Sequence, residues 1–327
     1  MATTEPLQRL QDTSGLGEPT ERKRLLVIVN PYATTVSGHL SQLVVSALRG
    51  AYDVEAVHTT ARDHATELCR EAAHEGLDLV VAFGGDGTVN EVANGLVGSD
   101  TPFTCLPGGS NSVFCRMLGI PIDIVDATEH LLALADHWKP REIDVAHVNG
   151  RHFLFSSGVG IDASVVARVD GNPKMKARFR QSYFAWSAAT TFARRYVVNP
   201  PSLELRLADG TTVEGATVIV QNGDPYTYFH GKPVEIARGA TLDSGSLAGV
   251  VLRGTNPVMI PTLAARLLAG RWEVADHKHV EPFAATDDFT IASTDDRPIA
   301  IHVDGDHIDD VTEARYGVRP HALSIIA

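Results

Sequence analysis

The stretch Leu79-Val80-Val81-Ala82-Phe83-Gly84-Gly85-Asp86-Gly87-Thr88-Val89-Asn90-Glu91 passes from an apolar β run through a glycine turn into a helical pattern. Glycine lets the backbone take positive φ and come close to a ligand. A helix N-terminus adds unpaired amides and a partial positive charge, so the arrangement suits phosphate. Gly84, Gly85, Asp86, Gly87 and Thr88, with Asn90 and Glu91 behind them, are the candidate phosphate-contact residues. Asp86 is the carboxylate placed to hold Mg²⁺ or to orient an accepting hydroxyl. A plain chain reversal is the alternative. Part of the segment must be structural, because Thr88 and Glu91 have capping-box spacing and Val89, Val92, Ala93 and Leu96 share one helical face. No Gly-x-x-x-x-Gly-Lys-Ser/Thr occurs anywhere, which excludes a Walker A loop.

Other polar clusters also follow apolar runs. Asn30 and Pro31, with Thr34 beyond them, come after the first run, and Thr59 comes after the second. Pro107-Gly108-Gly109-Ser110 offers a loop whose Gly109 and Ser110 could contact phosphate, although the same composition suits an ordinary loop. Ser157-Gly158-Val159-Gly160-Ile161-Asp162-Ala163 could be read as a dinucleotide fingerprint. That fingerprint needs an acidic residue about 20 positions on, and none occurs between Asp170 and Glu204. Asp304-Gly305, with Asp306 after it, has the composition of a hairpin turn. Lys174, Lys176, Arg178, Arg180, Arg194 and Arg195 alternate with Phe179, Tyr183, Phe184, Trp186 and Phe192. Basic side chains attract anionic lipid and aromatic ones settle among headgroups; the alternative is a solvated helix whose aromatics pack inward.

The elements that must hold these residues alternate in the first half. Strands at 25–29, 52–58 and 77–83 are separated by helical patterns at 37–48 and 61–75, the signature of a parallel α/β sheet. After about Asp144 the pattern changes to short alternating runs at 203–207, 217–221, 289–292 and 299–303, an antiparallel β domain. Residues 1–22 read as a disordered tail, 23–143 as the α/β domain and 144–327 as the β-rich domain, whose last residues are free to return to the first. Acidic residues outnumber basic ones, 40 to 28, and the net charge of -12 opposes nucleic acid as a partner. Three scattered cysteines make no disulfide framework or metal spacing and suit a reducing compartment. The opening residues lack the order of a signal peptide, and no apolar run reaches the roughly 18 residues of a membrane span.

Taken together, GGDGTVNEVANGL at 84–96 and LPGGSNSVFCRMLGI at 106–120 resemble the diacylglycerol kinase catalytic-domain family, which includes bacterial soluble lipid kinases and is related to sphingosine and ceramide kinases. Asn30-Pro31, Thr59, Gly158-Val159-Gly160 and Asp304-Gly305-Asp306 stand at further positions of that pattern, and residues 242–247 resemble a loop that holds a structural Mg²⁺ in bacterial members. Ser112 and Val113 replace Asn and Asp of the pattern, Thr34 and Ser244 also depart from it, and Asp306 replaces Glu. The resemblance implies an α/β fold of two domains: an N-terminal nucleotide-binding domain with a parallel sheet, and a C-terminal β-sandwich-like domain, with the active site in the cleft between them. It also implies transfer of the γ-phosphoryl group of ATP, with Mg²⁺, to the hydroxyl of diacylglycerol or a related lipid. Asp86 would organise metal or acceptor, and Asp306 would act as base. A cytoplasmic protein that touches the inner face of the membrane through residues 174–195 follows, and a homodimer is left open. An NAD-kinase-like enzyme also carrying GGDGT, or a lipid-binding relative without turnover, are the competing readings.

Overall fold

The computed structural model describes residues 22–134, 137–160, 200–229, 231–254, 262, 266 and 273–327. The chain forms two compact units: the first runs to Ile143 and regains His321–Ala327, and the second is Asp144–Pro320.

The first unit is built on β1 (Arg24–Val29), α1 (Gly38–Ala51), β2 (Asp53–His58), α2 (His64–His74), β3 (Leu79–Gly84), α3 (Asp86–Leu96), β4 (Phe103–Pro107), α4 (Val113–Met117) and α5 (Ile124–Ala133). Its strands lie parallel in the order β2-β1-β3-β4. Leu25 to Val29 and Leu79 to Phe83 are at most 4% exposed. Strands covered by helices on both faces need such unbroken apolar runs. Helix α1 packs with α5, and α2 with α3, as right-handed crossovers on a doubly wound sheet require. Ser37 Oγ caps α1 through the Leu40 amide, and Asp123 Oδ1 caps α5 through those of Val125 and Asp126. The chain leaves β1 toward β2 on one side and β3 toward β4 on the other, so the winding reverses between β1 and β3. In open α/β sheets, ligands bind beyond the carboxyl ends of the strands at such a reversal.

The second unit takes in most of β5 (Arg141–Val148), then β6 (Arg151–Phe153), β7 (Ser156–Gly160), β8 (Leu203–Leu207), β9 (Thr212–Gly215), β10 (Thr217–Gln221), β11 (Thr227–Phe229), β12 (Lys232–Val234), β13 (Leu247–Leu252), β14 (Val280–Thr286), β15 (Asp288–Ser293), β16 (Ile299–Val303), β17 (Asp306–Val311) and most of β18 (Glu313–Ile325). One antiparallel sheet has the order β14-β13-β10-β7-β16-β17; β18, β15, β8 and β9 make a second layer with β5 and β6. Val159, Val218, Val251, Ile301 and Val303 from the first layer meet Phe153, Leu205, Phe289, Ile291 and Tyr316 from the second in one core. The Tyr316 hydroxyl reaches Ser157 Oγ at 2.8 Å, and Ser157 Oγ donates to the His302 carbonyl at 2.7 Å, so the buried phenol is satisfied. Burial pushes the Tyr316 phenol up from its ordinary value. The last strand, β18, starts in this unit and ends in the first, where Ile325 pairs parallel with Phe103 of β4.

The Gly158-Val159-Gly160 segment lies inside β7, hydrogen-bonded to β10 and β16 on its two sides. That removes the dinucleotide reading for these glycines, because the fingerprint needs a strand-to-helix turn. Gly160 has φ +96°, and a Cβ there would lie 2.6 Å from the Ala216 carbonyl oxygen. Ile161, Asp162 and Ala163, and the basic aromatic stretch at 174–195, lie outside the described residues, as does the tail at 1–20.

Candidate phosphate-binding site

Three loops meet at the carboxyl ends of β1, β3 and β4. The Asn30 amide donates to the Phe83 carbonyl at 3.0 Å, the Gly108 amide to that of Gly84 at 2.8 Å, and the Thr35 amide to that of Gly108 at 3.1 Å. Side chains reinforce the join: Asn30 Nδ2 donates to Thr88 Oγ1 at 3.0 Å, while Asn30 Oδ1 accepts the Tyr32 amide at 2.9 Å. Two glycine pairs form the floor. A Cβ at Gly108 would sit 2.8 Å from the Gly84 Cα, and one at Gly109 would sit 2.9 Å from the Gly85 Cα. Gly84 itself faces Thr88, whose Cβ would be 2.7 Å away. The glycines therefore serve close backbone approach, not positive φ, since Gly84, Gly85 and Gly87 are absent from the left-handed residues.

Helix α3 begins at Asp86 with Gly85 as an extended N-cap, and no side chain caps it. Its first amides and its dipole thus face the region beside both glycine pairs, an arrangement suited to an anion. The capping box expected from Thr88 and Glu91 does not form. The helix starts two residues before Thr88, so that pair lies within it: Thr88 takes the Asn30 amide group, and Glu91 Oε2 accepts the Ala65 amide at 3.2 Å. Asn90 is 2% exposed, with its side-chain oxygen accepting Asn94 Nδ2 at 3.1 Å. Val89, Val92, Ala93 and Leu96 are buried along α3, as their spacing indicates.

Asp86 is half-buried, and its carboxylate turns across to α4: Oδ2 accepts the Val113 amide at 3.1 Å and Oδ1 the Phe114 amide at 3.0 Å. It supplies the cap that Ser112 does not, for Ser112 sits at φ +42° with its hydroxyl donating to the Gly109 carbonyl at 3.3 Å. Pro31, Thr34 and Ser110 are exposed around these loops. Thr59 follows β2, 8% exposed, with its amide donating to the Val29 carbonyl at 2.9 Å. Gly108, which touches both Gly84 and the 30–36 loop, is a contributor that sequence does not single out; two glycine doublets ending adjacent strands are the signal that could have found it.

Asp306 belongs to the second unit. Asp304 and Gly305 have φ of +47° and +85° and form a two-residue turn between β16 and β17, with Val303 paired to Asp306. Both positive φ values are those of a type I′ hairpin. Asp304 is 4% exposed and accepts the amides of Leu154, Phe155 and Ser156 at 2.8, 3.0 and 3.1 Å. Asp306 is half-buried at the start of β17. The 242–247 loop is closed by its own bonds: Ser244 Oγ donates to the Thr241 and Ser246 carbonyls, and the Gly245 amide donates to Asp144 Oδ2. Among the described residues, no group of three or more His, Cys, Asp or Glu is disposed to hold a metal ion.

A doubly wound parallel domain with glycine loops and an uncapped helix at its winding reversal has an arrangement suited to holding phosphate. Residues 24–148 match the family model of the diacylglycerol kinase catalytic domain. The chain is 36% identical over 143 residues to the diacylglycerol kinase of Bacillus subtilis (strain 168), a match covering 42% of this chain and 46% of that protein. It is 30% identical over 137 residues to the diacylglycerol kinase of Staphylococcus aureus (strain Newman), covering 41% and 42%. The chain thus spans less than half the length of these curated relatives in the matches. The fold extends further. A crystal structure of a diacylglycerol kinase from Bacillus anthracis str. Sterne superposes with a TM-score of 0.68 at 23% identity, covering 94% of this chain and 98% of that one. A second structure from that organism, at the same identity and coverage, gives a TM-score of 0.72. Among the described residues, no helix is long and apolar enough to cross a membrane.

Proposed function

We propose that the protein is a lipid kinase that moves the γ-phosphoryl group of ATP onto the hydroxyl of diacylglycerol or a related membrane lipid. The observation that carries this reading is the meeting of Gly84-Gly85 with Gly108-Gly109 beside the uncapped start of α3, within a domain of the diacylglycerol kinase catalytic family. Phosphoryl transfer depends mainly on positioning and on neutralising charge at the phosphoryl oxygens. Here the amides of α3 and the Ser110 hydroxyl would hold phosphate oxygens, while the glycine pairs let the two loops approach closely beside them. Asn30, Pro31, Thr34 and Thr59, on the loops after β1 and β2, would border the rest of the nucleotide.

Mg²⁺, bound with the nucleotide, would supply charge neutralisation. Asp86 fits it as an outer ligand, because both of its oxygens are already fixed by amides. Asp306 is the carboxylate we assign as base: it would accept the lipid hydroxyl proton as that oxygen bonds to phosphorus and ADP leaves. Contact with the membrane would come through the basic and aromatic residues at 174–195.

Labelled Mg-ATP and mixed vesicles containing diacylglycerol test the reading directly. The expected outcome is label in the organic phase, lost by about 100-fold or more in Asp306→Asn with Mg-ATP binding unchanged. No labelled lipid from either diacylglycerol or a total lipid extract would refute it, and label transferred to NAD instead would point to the other GGDGT chemistry.

A further inference from the structure

Cys105 and Cys115 are 10 residues apart in sequence, and the fold brings their Sγ atoms to 3.1 Å. Cys105 lies within β4 and Cys115 within α4; each is 1% exposed, and both are free thiols. The segment between them carries Gly108, Gly109, Ser110 and Ser112, the second of the two glycine loops. A disulfide bond is about 2.05 Å long, so an approach of about 1 Å would let the bond form. We infer that Cys105 and Cys115 are a modification site, a dithiol that a small disulfide such as oxidised glutathione converts to an intramolecular disulfide clamping α4 onto β4.

The exchange balances in two steps. One cysteine thiolate attacks a glutathione sulfur, forming a mixed disulfide and releasing one glutathione thiolate. The other cysteine then attacks the protein sulfur of that mixed disulfide, closing the Cys105–Cys115 bond and releasing the second. The protein loses two electrons and two thiol protons, and the oxidant becomes two glutathione thiols. Access is through opening of α4, which is only five residues long and held at its start by Asp86. In the closed form the hydrogen bond shared with Cys115, burial and the charge of Asp86 hold Cys105 protonated, so exchange waits on that opening.

Closing the bond draws α4 toward β4 and with it the Val113 and Phe114 amides that fix Asp86. Misplacement by about 1 Å in such a site can cost about 100-fold. The thiol chemistry stands on the sulfur geometry alone, whereas its effect on the nucleotide rests on the kinase reading.

The test is to equilibrate the full chain in glutathione mixtures without denaturant, then count thiols and map cross-linked peptides. The expected result is a fall from three thiols to one. It comes with a Cys105–Cys115 peptide lighter by two hydrogens and full reversal by dithiothreitol. Cys69→Ala should still close the bond and Cys105→Ala should not. Three thiols persisting in the most oxidising mixture, or glutathione adducts alone, would overturn the inference. Mg-ATP affinity should fall at least about tenfold on oxidation. Unchanged affinity in the disulfide form overturns the clamp, while a reduced chain that never binds Mg-ATP counts against the kinase reading and leaves the thiol result standing.

Discussion

Replacing Asp86 by Asn should unseat α4 before it says anything about magnesium. The carboxylate accepts two amides, one on each oxygen, at 3.1 and 3.0 Å. An asparagine oxygen can accept one of them, and its NH₂ then faces the other donor to donor. One hydrogen bond to a charged group is lost, worth about 1.5–3 kcal/mol, together with a favourable charge at a helix N-terminus, worth about 0.3–1 kcal/mol. Half-burial moderates both, so the expected cost is about 2 kcal/mol. For a unit of this size that is a drop in Tm of about 4–8 °C. Asp86→Ala, which leaves both amides without the carboxylate, should cost more. Circular dichroism melts of the two variants and the parent, without nucleotide, give the answer. If Asp86→Asn melts within about 1 °C of the parent, the carboxylate is not the cap described here. If the expected drop appears, loss of kinase activity in that variant assigns Asp86 to the metal only when measured well below its melting range.

Gly109→Ala places a Cβ 2.9 Å from the Gly85 Cα, a backbone atom that cannot step aside. Urea denaturation should show a loss of about 1–3 kcal/mol, whereas Gly38→Ala, with nothing within 4 Å and a place in α1, should be neutral or stabilising. Asp304→Asn removes part of a carboxylate that accepts three amides at a position 4% exposed, and should cost about 2–4 kcal/mol in the same assay. His152 is held down to about 4 by burial first, then by the charges of His147, Arg319 and Arg151. Its folded pKa lies below its unfolded value, so the unfolded chain binds more protons in between and stability falls as pH drops from about 6.5 to about 4. His152→Gln should flatten that part of a Tm-against-pH curve.

The parallel sheet can be read from the sequence because strands buried on both faces must be apolar throughout, and residues 25–29 and 79–83 are. Edges of elements are harder. The helical pattern at 61–75 gives a helix only over His64–His74, because Asp63 takes φ +63° and sets its start. The glycine turn shows the same division. Its composition announces close approach to something, but the neighbour is Gly108, just past the end of the next strand, and only strand register puts Pro107 opposite Gly84. Thr88 looks like a cap within its own segment and is claimed instead by Asn30, 58 residues earlier. Cys105 and Cys115 read as scattered until the turn after β4 folds α4 back on it. Local spacing carries type and period; partners across the sheet are fixed by register, which no local pattern contains.

The turn between β16 and β17 is structural and, on the proposed reading, chemical as well. A two-residue hairpin needs positive φ at both central positions, which Asp tolerates and Gly prefers. Asp304 uses that conformation to send its carboxylate inward, where three consecutive amides at 154–156 hold it. The Asp304 amide returns a bond of 2.8 Å to the Ser156 carbonyl, so the turn is fixed to the start of β7 from both directions. Asp306, paired with Val303, follows that anchored turn with its backbone set by the ladder. A general base needs little freedom and a defined direction, because proton transfer works only within hydrogen-bond reach. The first aspartate therefore supplies rigidity, on which the base role we propose for Asp306 would draw. On the proposed reading the hairpin and the base are two uses of one turn, and the rigidity of the first is a condition for the second.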